Sequence, residues 1–243
     1  MQFRLILEYD GGAYAGWQIQ PQARTVQATL EAAVARLLGH PTRIAAAGRT
    51  DAGVHAAGQV ACFHTPNRLA EDVVLRALNA LTPPDLTIRE VCVVDEDFDP
   101  RRSARSRSYA YRVWNRQTPS PFWQRYAWHI RHPLAADAMA EAAVVLLGEH
   151  DFTSFQAAGC DASHAVRRVI RSDVTRSGDV IVYEIEATAF LRHMVRNIVG
   201  TLVDVGRGER DPGAMTTLLA ARDRNLAGRT APAHGLCLME VKY

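Results

Sequence analysis

Lysine is almost missing from this chain: Lys and Arg together number 28, and Lys242 is the only lysine. Long apolar runs are missing too. None approaches the ~20 residues needed to cross a bilayer, and Met1-Gln2-Phe3-Arg4 leads straight into a strand pattern instead of a leader peptide, so a cytoplasmic protein with no membrane partner is expected. Cysteine is sparse. Cys62, Cys92, Cys160 and Cys237 stand far apart, with no Cys-x-x-Cys pair and no matched histidine spacing, which argues against zinc and for buried thiols. His129 and His132 stand three apart, but nothing nearby completes a ligand set, so no metal is expected. The His-x-Glu and Pro-Cys-x-x-Cys signature of zinc deaminases is absent, which removes one class of base-modifying enzyme. The aromatic signature of RNA-recognition modules is absent as well.

What is present suits a globular enzyme: 243 residues, 48% hydrophobic, enough for one large domain or two small ones. A net charge of +2 does not by itself announce a nucleic-acid binder. The distribution says more, because arginines cluster at 101, 102, 105, 107 and 112 and again at 167, 168 and 171. A planar guanidinium suits phosphates and base edges better than a lysine does.

Periodicity predicts a strand over 3–9, a helix over 26–38 capped by Thr25 and closed by Gly39, and strands at about 42–47 and 59–64. A helix over 70–81, stopped by Pro83-Pro84, and a strand over 86–94 follow. That order is β-α-β-β-α-β, the ferredoxin-like unit. It then recurs, with a strand over 108–115, a helix over 135–147, a hairpin of 169–174 with 180–189, an amphipathic helix over 191–205, a short helix over 214–221 and a last strand over 236–241. The expected fold is α+β: two tandem ferredoxin-like units sharing a mixed, mainly antiparallel sheet, helices on one side, with a catalytic cleft between the halves. The change from Asp95-Glu96-Asp97 to Arg101-Arg102 marks a boundary, giving an N-terminal subdomain 1–104 and a C-terminal subdomain 105–243.

The most demanding stretch is Ala47-Gly48-Arg49-Thr50-Asp51-Ala52-Gly53-Val54-His55-Ala56. Glycines at 48 and 53 allow turns with positive φ and close approach of a substrate, and Arg49 and Asp51 offer opposite charges from one short loop. A bare Gly-Arg-x-Asp would be a surface ion pair worth little. The whole run, however, resembles the catalytic loop of the TruA-type tRNA pseudouridine synthases, in which Gly-Arg-Thr-Asp-Ala-Gly-Val-His carries the aspartate common to pseudouridine synthases.

Two further stretches carry the same resemblance. Phe98-Asp99-Pro100-Arg101-Arg102-Ser103-Ala104-Arg105-Ser106-Arg107-Ser108-Tyr109-Ala110-Tyr111 is a basic segment feeding an aromatic strand, a pattern that suits phosphates and an extruded base. It is similar to a family segment with Arg101 and Arg107 at matching arginines and Tyr109 at the tyrosine that contacts the target uridine. The family usually has His-Ala where this chain has Asp99-Pro100. Phe190-Leu191-Arg192-His193-Met194-Val195-Arg196-Asn197-Ile198-Val199-Gly200 reads as a helix with Arg192 and Arg196 one turn apart beside an apolar stripe. It resembles the family's Phe-x-x-His-Met-Val-Arg-Asn helix, whose arginine pairs with the catalytic aspartate. Weaker echoes are Tyr9-Asp10-Gly11, Gly16-Trp17-Gln18, Asp151-Phe152-Thr153-Ser154-Phe155 and Gly235-Leu236-Cys237-Leu238.

The resemblance implies an isomerase that converts uridine to pseudouridine in the tRNA anticodon stem-loop, at about positions 38 to 40, read largely through RNA shape. It implies Asp51 as nucleophile, at either C6 of the base or C1′ of the ribose, with Arg49 and Arg196 orienting it. Tyr109, Arg101, Arg107, His193 and Leu236 would bind substrate. Redox state is unchanged and nothing is hydrolysed, so no cofactor is implied; tRNA is the partner and a homodimer the assembly. A non-catalytic RNA-binding protein would not need Asp51 in such a loop. A glycosidase would want a second positioned carboxylate, and no partner acid stands out.

Overall fold

A computed structural model describes residues 1–159 and 164–243; Cys160 lies outside the described residues. Two compact units are present, 1–105 together with 237–243, and 106–236.

The first unit is built on β1 (Gln2–Tyr9), whose Phe3, Leu5, Leu7 and Tyr9 are all buried, as the alternation predicts. β1 pairs antiparallel with β3 (His55–His64) on one side and β4 (Leu86–Val94) on the other. Two helices accompany these strands. α1 (Val26–Leu38) begins where the Thr25 side chain accepts the Ala28 N–H and ends at Gly39 with φ 79°, the expected cap at each end. α2 (Glu71–Leu81) packs against α1 and β4.

β2 shrinks to Ala45–Ala46, shorter than the expected strand over 42–47, because side chains of α1 take the backbone groups of Ile44. Its N–H donates to Glu31 Oε1 at 3.1 Å and its carbonyl accepts from Gln27 Nε2 at 3.2 Å. β3 is longer than expected and starts at His55, directly out of the Asp51 loop. Its first residues pair in parallel with Cys237 and Leu238 of β10 (Leu236–Lys242), and its later ones, Ala61 and Cys62, with β2. Residues 237–243 therefore fall with the first unit, although sequence order places the last strand in a C-terminal subdomain.

In the second unit β5 (Ser106–Asn115) pairs antiparallel with β9 (Val180–Ala187), β9 with β8 (Val166–Ser177), and β8 with β7 (Gly148–Asp151). β6 (Trp128–Ile130) adds a parallel pairing on β5. α3 (Ala136–Val144) packs on β8 and on α4 (Met194–Gly206), and α5 (Ala214–Ala221) follows. Both units mix strands and helices, with antiparallel pairs dominating and one parallel pair in each, so the class is α+β.

The structure moves one boundary that matters. α4 starts at Met194, not at Leu191, because His193 adopts a left-handed conformation (φ 59°, ψ 6°) that no helix interior accommodates. Arg192 therefore precedes the helix and does not share a face with Arg196; its guanidinium lies 3.5 Å from the Gly159 carbonyl.

Candidate active site

The Asp51 loop hangs between β2 and β3, and its central residue is pinned. Thr50 Oγ1 lies 2.8 Å from the Tyr9 hydroxyl, and the Thr50 carbonyl accepts the Trp17 N–H at 3.0 Å. Gln59, fully buried on β3, donates its amide to the Gly48 carbonyl at 2.8 Å. On the far side the Gly53 N–H donates to the Tyr14 carbonyl at 3.2 Å, and the Val54 N–H closes a turn on the Asp51 carbonyl at 3.1 Å. With Thr50 held inward, its neighbours are presented outward: Arg49 is exposed and Asp51 half-buried. Burial pushes the Tyr9 phenol up to about 12, so the group touching Thr50 keeps its proton across the working pH range.

Gly53 has φ 79°, as expected of a turn glycine. Gly48 does not: its φ is not positive, and a Cβ there would meet nothing within 4 Å. The demanding glycine is Gly16, which motif reading noted only as a weak echo. It has φ 94°, and a Cβ would sit 2.7 Å from the Thr50 carbonyl oxygen. Only a residue without a side chain lets this segment close on the loop.

The segment from Asp10 to Arg24 is itself braced. Arg24 donates both Nη atoms to Asp85 at 2.8 Å, Tyr14 donates its hydroxyl to the same carboxylate at 2.7 Å, and the Arg24 guanidinium stacks 4.2 Å from the Tyr14 ring centre. Burial alone would raise the Asp85 carboxyl, but the bonds from Arg24 and Tyr14 outweigh it and hold the group below its usual range. His55 Nδ1 lies 3.0 Å from the Gly11 nitrogen and 3.2 Å from Asp10 Oδ1, which ties the start of β3 to the same segment.

The basic stretch near residue 100 is a tight turn. Asp99 Oδ1 accepts the N–H groups of Arg102 at 2.9 Å and Arg101 at 2.8 Å, and these bonds lower the Asp99 carboxyl pKa. The Pro100 carbonyl accepts the Tyr243 hydroxyl at 2.9 Å, and the Arg105 N–H donates to the Lys242 carbonyl at 2.8 Å. Asp99-Pro100 thus builds the turn, while the Arg101, Arg102 and Arg105 side chains are exposed.

In the second unit Tyr109 stands half-buried on β5, its ring edge-on to Phe190 with centres 5.0 Å apart. Arg107, two residues before it on the same face, donates to the Thr188 carbonyl at 2.9 Å. His193 is the residue that turns the chain into α4, and Arg196 follows in the first turn. The Arg196 Nε donates to the Ala231 carbonyl at 2.8 Å while the Ala231 N–H donates to the Arg196 carbonyl at 3.0 Å, so both the side chain and the backbone of Arg196 are tied to Ala231. Leu236 is buried where β10 begins. The structure thus groups Arg49 with Asp51 on one loop, Arg107 with Tyr109 on β5, and His193 with Arg196 at the head of α4; Arg101 lies in the Asp99 turn.

Among the described residues no group of three His, Cys, Asp or Glu side chains is arranged to hold a metal ion, and no helix is long and apolar enough to cross a membrane. Cys62 is buried; Cys92 and Cys237 are half-buried. Of the loop's supports, sequence reasoning missed Gln59 and Asp85, while Tyr9 and Gly16 figure there only within weak echoes. The available signal was polarity out of place, a glutamine inside the apolar run of β3.

A family model described as tRNA pseudouridine synthase matches residues 5–101 and 142–243. A tRNA pseudouridine synthase A from Myxococcus xanthus is 49% identical over 243 residues, covering 100% of this chain and 92% of its own length. Those from Moorella thermoacetica and Geotalea daltonii are 47% and 44% identical, each covering 99% of this chain and 98% of its own length. A solved Cbf5-Nop10-Gar1 complex aligns with 97% of this chain and 57% of its own at 10% identity and a TM-score of 0.38, too low to bear on the reading. The chain belongs to the tRNA pseudouridine synthase family, and it is an isomerase of that class.

Proposed function

We propose that this protein isomerises uridine to pseudouridine in the anticodon stem-loop of tRNA, at about positions 38 to 40, with Asp51 as nucleophile and without a cofactor. The observation that carries the reading is the pinned Thr50, which fixes a half-buried carboxylate and an exposed arginine side by side on a loop braced from three directions. Such pre-positioning is what a covalent step needs, because a nucleophile held near its attack geometry avoids an entropic cost at the barrier.

In this reading the N1–C1′ bond breaks, uracil rotates, C5 bonds to C1′, and the C5 proton leaves while N1 gains one; atoms and electrons balance within the nucleotide. Asp51 forms the transient bond, at C6 of uracil or C1′ of ribose. Arg49 and Arg196 orient it, Arg49 also supporting the space left by the flipped nucleotide. Tyr109 stacks on the uracil, and its hydroxyl relays the C5 proton in this scheme. Arg101, Arg107, His193 and Leu236 complete the substrate contacts. Residues 1–104 then supply the nucleophile, and 105–243 the stacking tyrosine and the guanidinium. A cytoplasmic homodimer engaging one tRNA through both subunits completes the proposal, which gel-filtration mass with and without tRNA tests.

The decisive variant is Asp51→Ala. Pseudouridine formation is expected to vanish while tRNA affinity stays within about threefold, because phosphate contacts dominate binding and lie elsewhere. Pseudouridine formed by purified Asp51→Ala protein would refute the assignment. Bound but unchanged RNA with the wild type would favour a binding protein, and released uracil a hydrolase.

A further inference from the structure

Behind α4 the chain returns along the helix as a strap from Ala227 to Ala231, and it comes unusually close. A Cβ on Gly200 would lie 1.6 Å from the Arg229 carbonyl oxygen, so the strap rests on the helix backbone itself. The strap ends at Ala231, the residue that holds both the Nε and the carbonyl of Arg196.

Side chains fix the height of this strap. Thr201 Oγ1 accepts the Gly228 N–H at 3.0 Å, and Thr230 donates its hydroxyl to Asn197 Oδ1 at 2.6 Å. Asn197, fully buried and next to Arg196 in the helix, also donates to the Phe155 carbonyl at 2.8 Å. At the centre is Arg224. Its Nη1 donates to the carbonyls of Gly228 at 2.9 Å and Ala227 at 3.3 Å, and its Nη2 to Asn197 Oδ1 at 3.1 Å and Thr230 Oγ1 at 3.2 Å.

Every one of those partners is neutral, and burial pulls the Arg224 guanidinium below its usual pKa. A partly desolvated cation with no carboxylate partner among the described residues is a poor device for stability alone, since its desolvation is not offset there by a counter-charge. What the fork supplies is geometry: four contacts from one planar guanidinium, reaching two carbonyls of the strap, the Thr230 hydroxyl and the Asn197 amide oxygen on α4.

We propose that Arg224 is a positioning residue for the reaction, seating the 227–231 strap on α4 so that Ala231 aims the Arg196 guanidinium. This rests on the reading of Arg196 as the orienting partner of Asp51. Arg224 touches no reacting atom in this scheme and acts through the strap.

The test uses the full-length protein as Arg224→Met, Thr230→Val, Arg196→Met and the double variant Arg196→Met with Arg224→Met. Single-turnover pseudouridine formation at saturating tRNA, tRNA affinity and the thermal midpoint are measured for each. Arg224→Met should slow turnover by about tenfold or more while tRNA affinity stays within about threefold, since misdirected orientation affects the bound complex. Thr230→Val should shift the rate in the same direction by less. The double variant should be no slower than Arg196→Met alone, because two residues acting through one guanidinium are not additive.

Multiplied losses in the double variant, or a wild-type rate in folded Arg224→Met, would overturn the proposal. Should Arg224→Met not fold, Thr230→Val decides, and an unchanged rate there overturns it equally. A normal rate in Arg196→Met overturns the reading of Arg196 and this proposal with it. A slow Arg196→Met beside a normal Arg224→Met overturns this proposal only.

Discussion

Gly16 illustrates how a residue remote from the chemistry in sequence decides the shape of the loop that carries it. Its positive φ and the 2.7 Å approach of the Thr50 oxygen leave no place for a methyl group. Gly16→Ala is therefore expected to destabilise the protein by about 1–3 kcal/mol, the usual cost of holding a non-glycine residue in that backbone region. It should also slow turnover, because relief of the clash displaces the peptide that joins Thr50 to Asp51. Gly48→Ala is the control: with open space around it and no positive φ, it should melt as the wild type does. Thermal melts of the two variants, followed by single-turnover rates, check the contrast.

Two elements owe their placement to polar braces, and each brace has a measurable signature. The segment from Asp10 to Arg24 leans on Asp85, whose carboxyl is held below its ordinary pKa by Arg24 and Tyr14 against the opposing effect of burial. A depressed carboxyl contributes stability above its unfolded pKa of about 3.9, and that contribution disappears as pH falls through the lower folded value. Wild type should accordingly melt above Asp85→Asn at neutral pH, and the gap should close as the solution is taken below about pH 4. A gap that persists unchanged to pH 2.5 would mean that Asp85 acts through packing and not through charge. For α4 the signature is Gly200. Alanine favours helix interiors by about 1 kcal/mol over glycine, yet Gly200→Ala is expected to destabilise, because its methyl group would occupy the position of the Arg229 carbonyl. A raised thermal midpoint in Gly200→Ala would show that the strap yields easily.

The arginines of the molecule are not equivalent, although their clustering in the sequence suggests one basic surface. Arg171 is engaged across its strand pair with Glu184 and lies 3.6 Å from Asp173, so part of its charge is already neutralised. Arg101 and Arg105 are exposed on and beside the Asp99 turn. Affinity for tRNA should fall steeply with salt. Neutralising Arg101 or Arg105 should reduce the slope of log K against log salt by roughly 0.7 to 0.9, while Arg171→Ala should change it far less. Titrations at four or five salt concentrations separate the cases, and equal slopes for all three variants would remove the distinction drawn here.

Much of the fold was legible in local pattern. The alternation of β1 and β9, the Thr25 and Gly39 caps of α1 and the end of α2 before Pro83-Pro84 follow from side-chain periodicity and capping, which act over a few residues and are written into them. The Asp51 stretch stood out for the same reason, since a dense run of special residue types needs no partner to be seen. Pairing across long separations was not legible. β6 and β7 are too short or too polar to alternate, β2 loses its length to Gln27 and Glu31, and 237–243 join a unit that begins at residue 1. The left-handed His193, the Gly16 contact and the Arg224 knot depend likewise on which backbone lies opposite. Residue types and their spacing marked the Asp51 loop, and its resemblance to one family implied Asp51 as the candidate nucleophile; the setting of that loop and of Arg196 was decided by backbone hydrogen bonds and close contacts that exist only once distant segments have met.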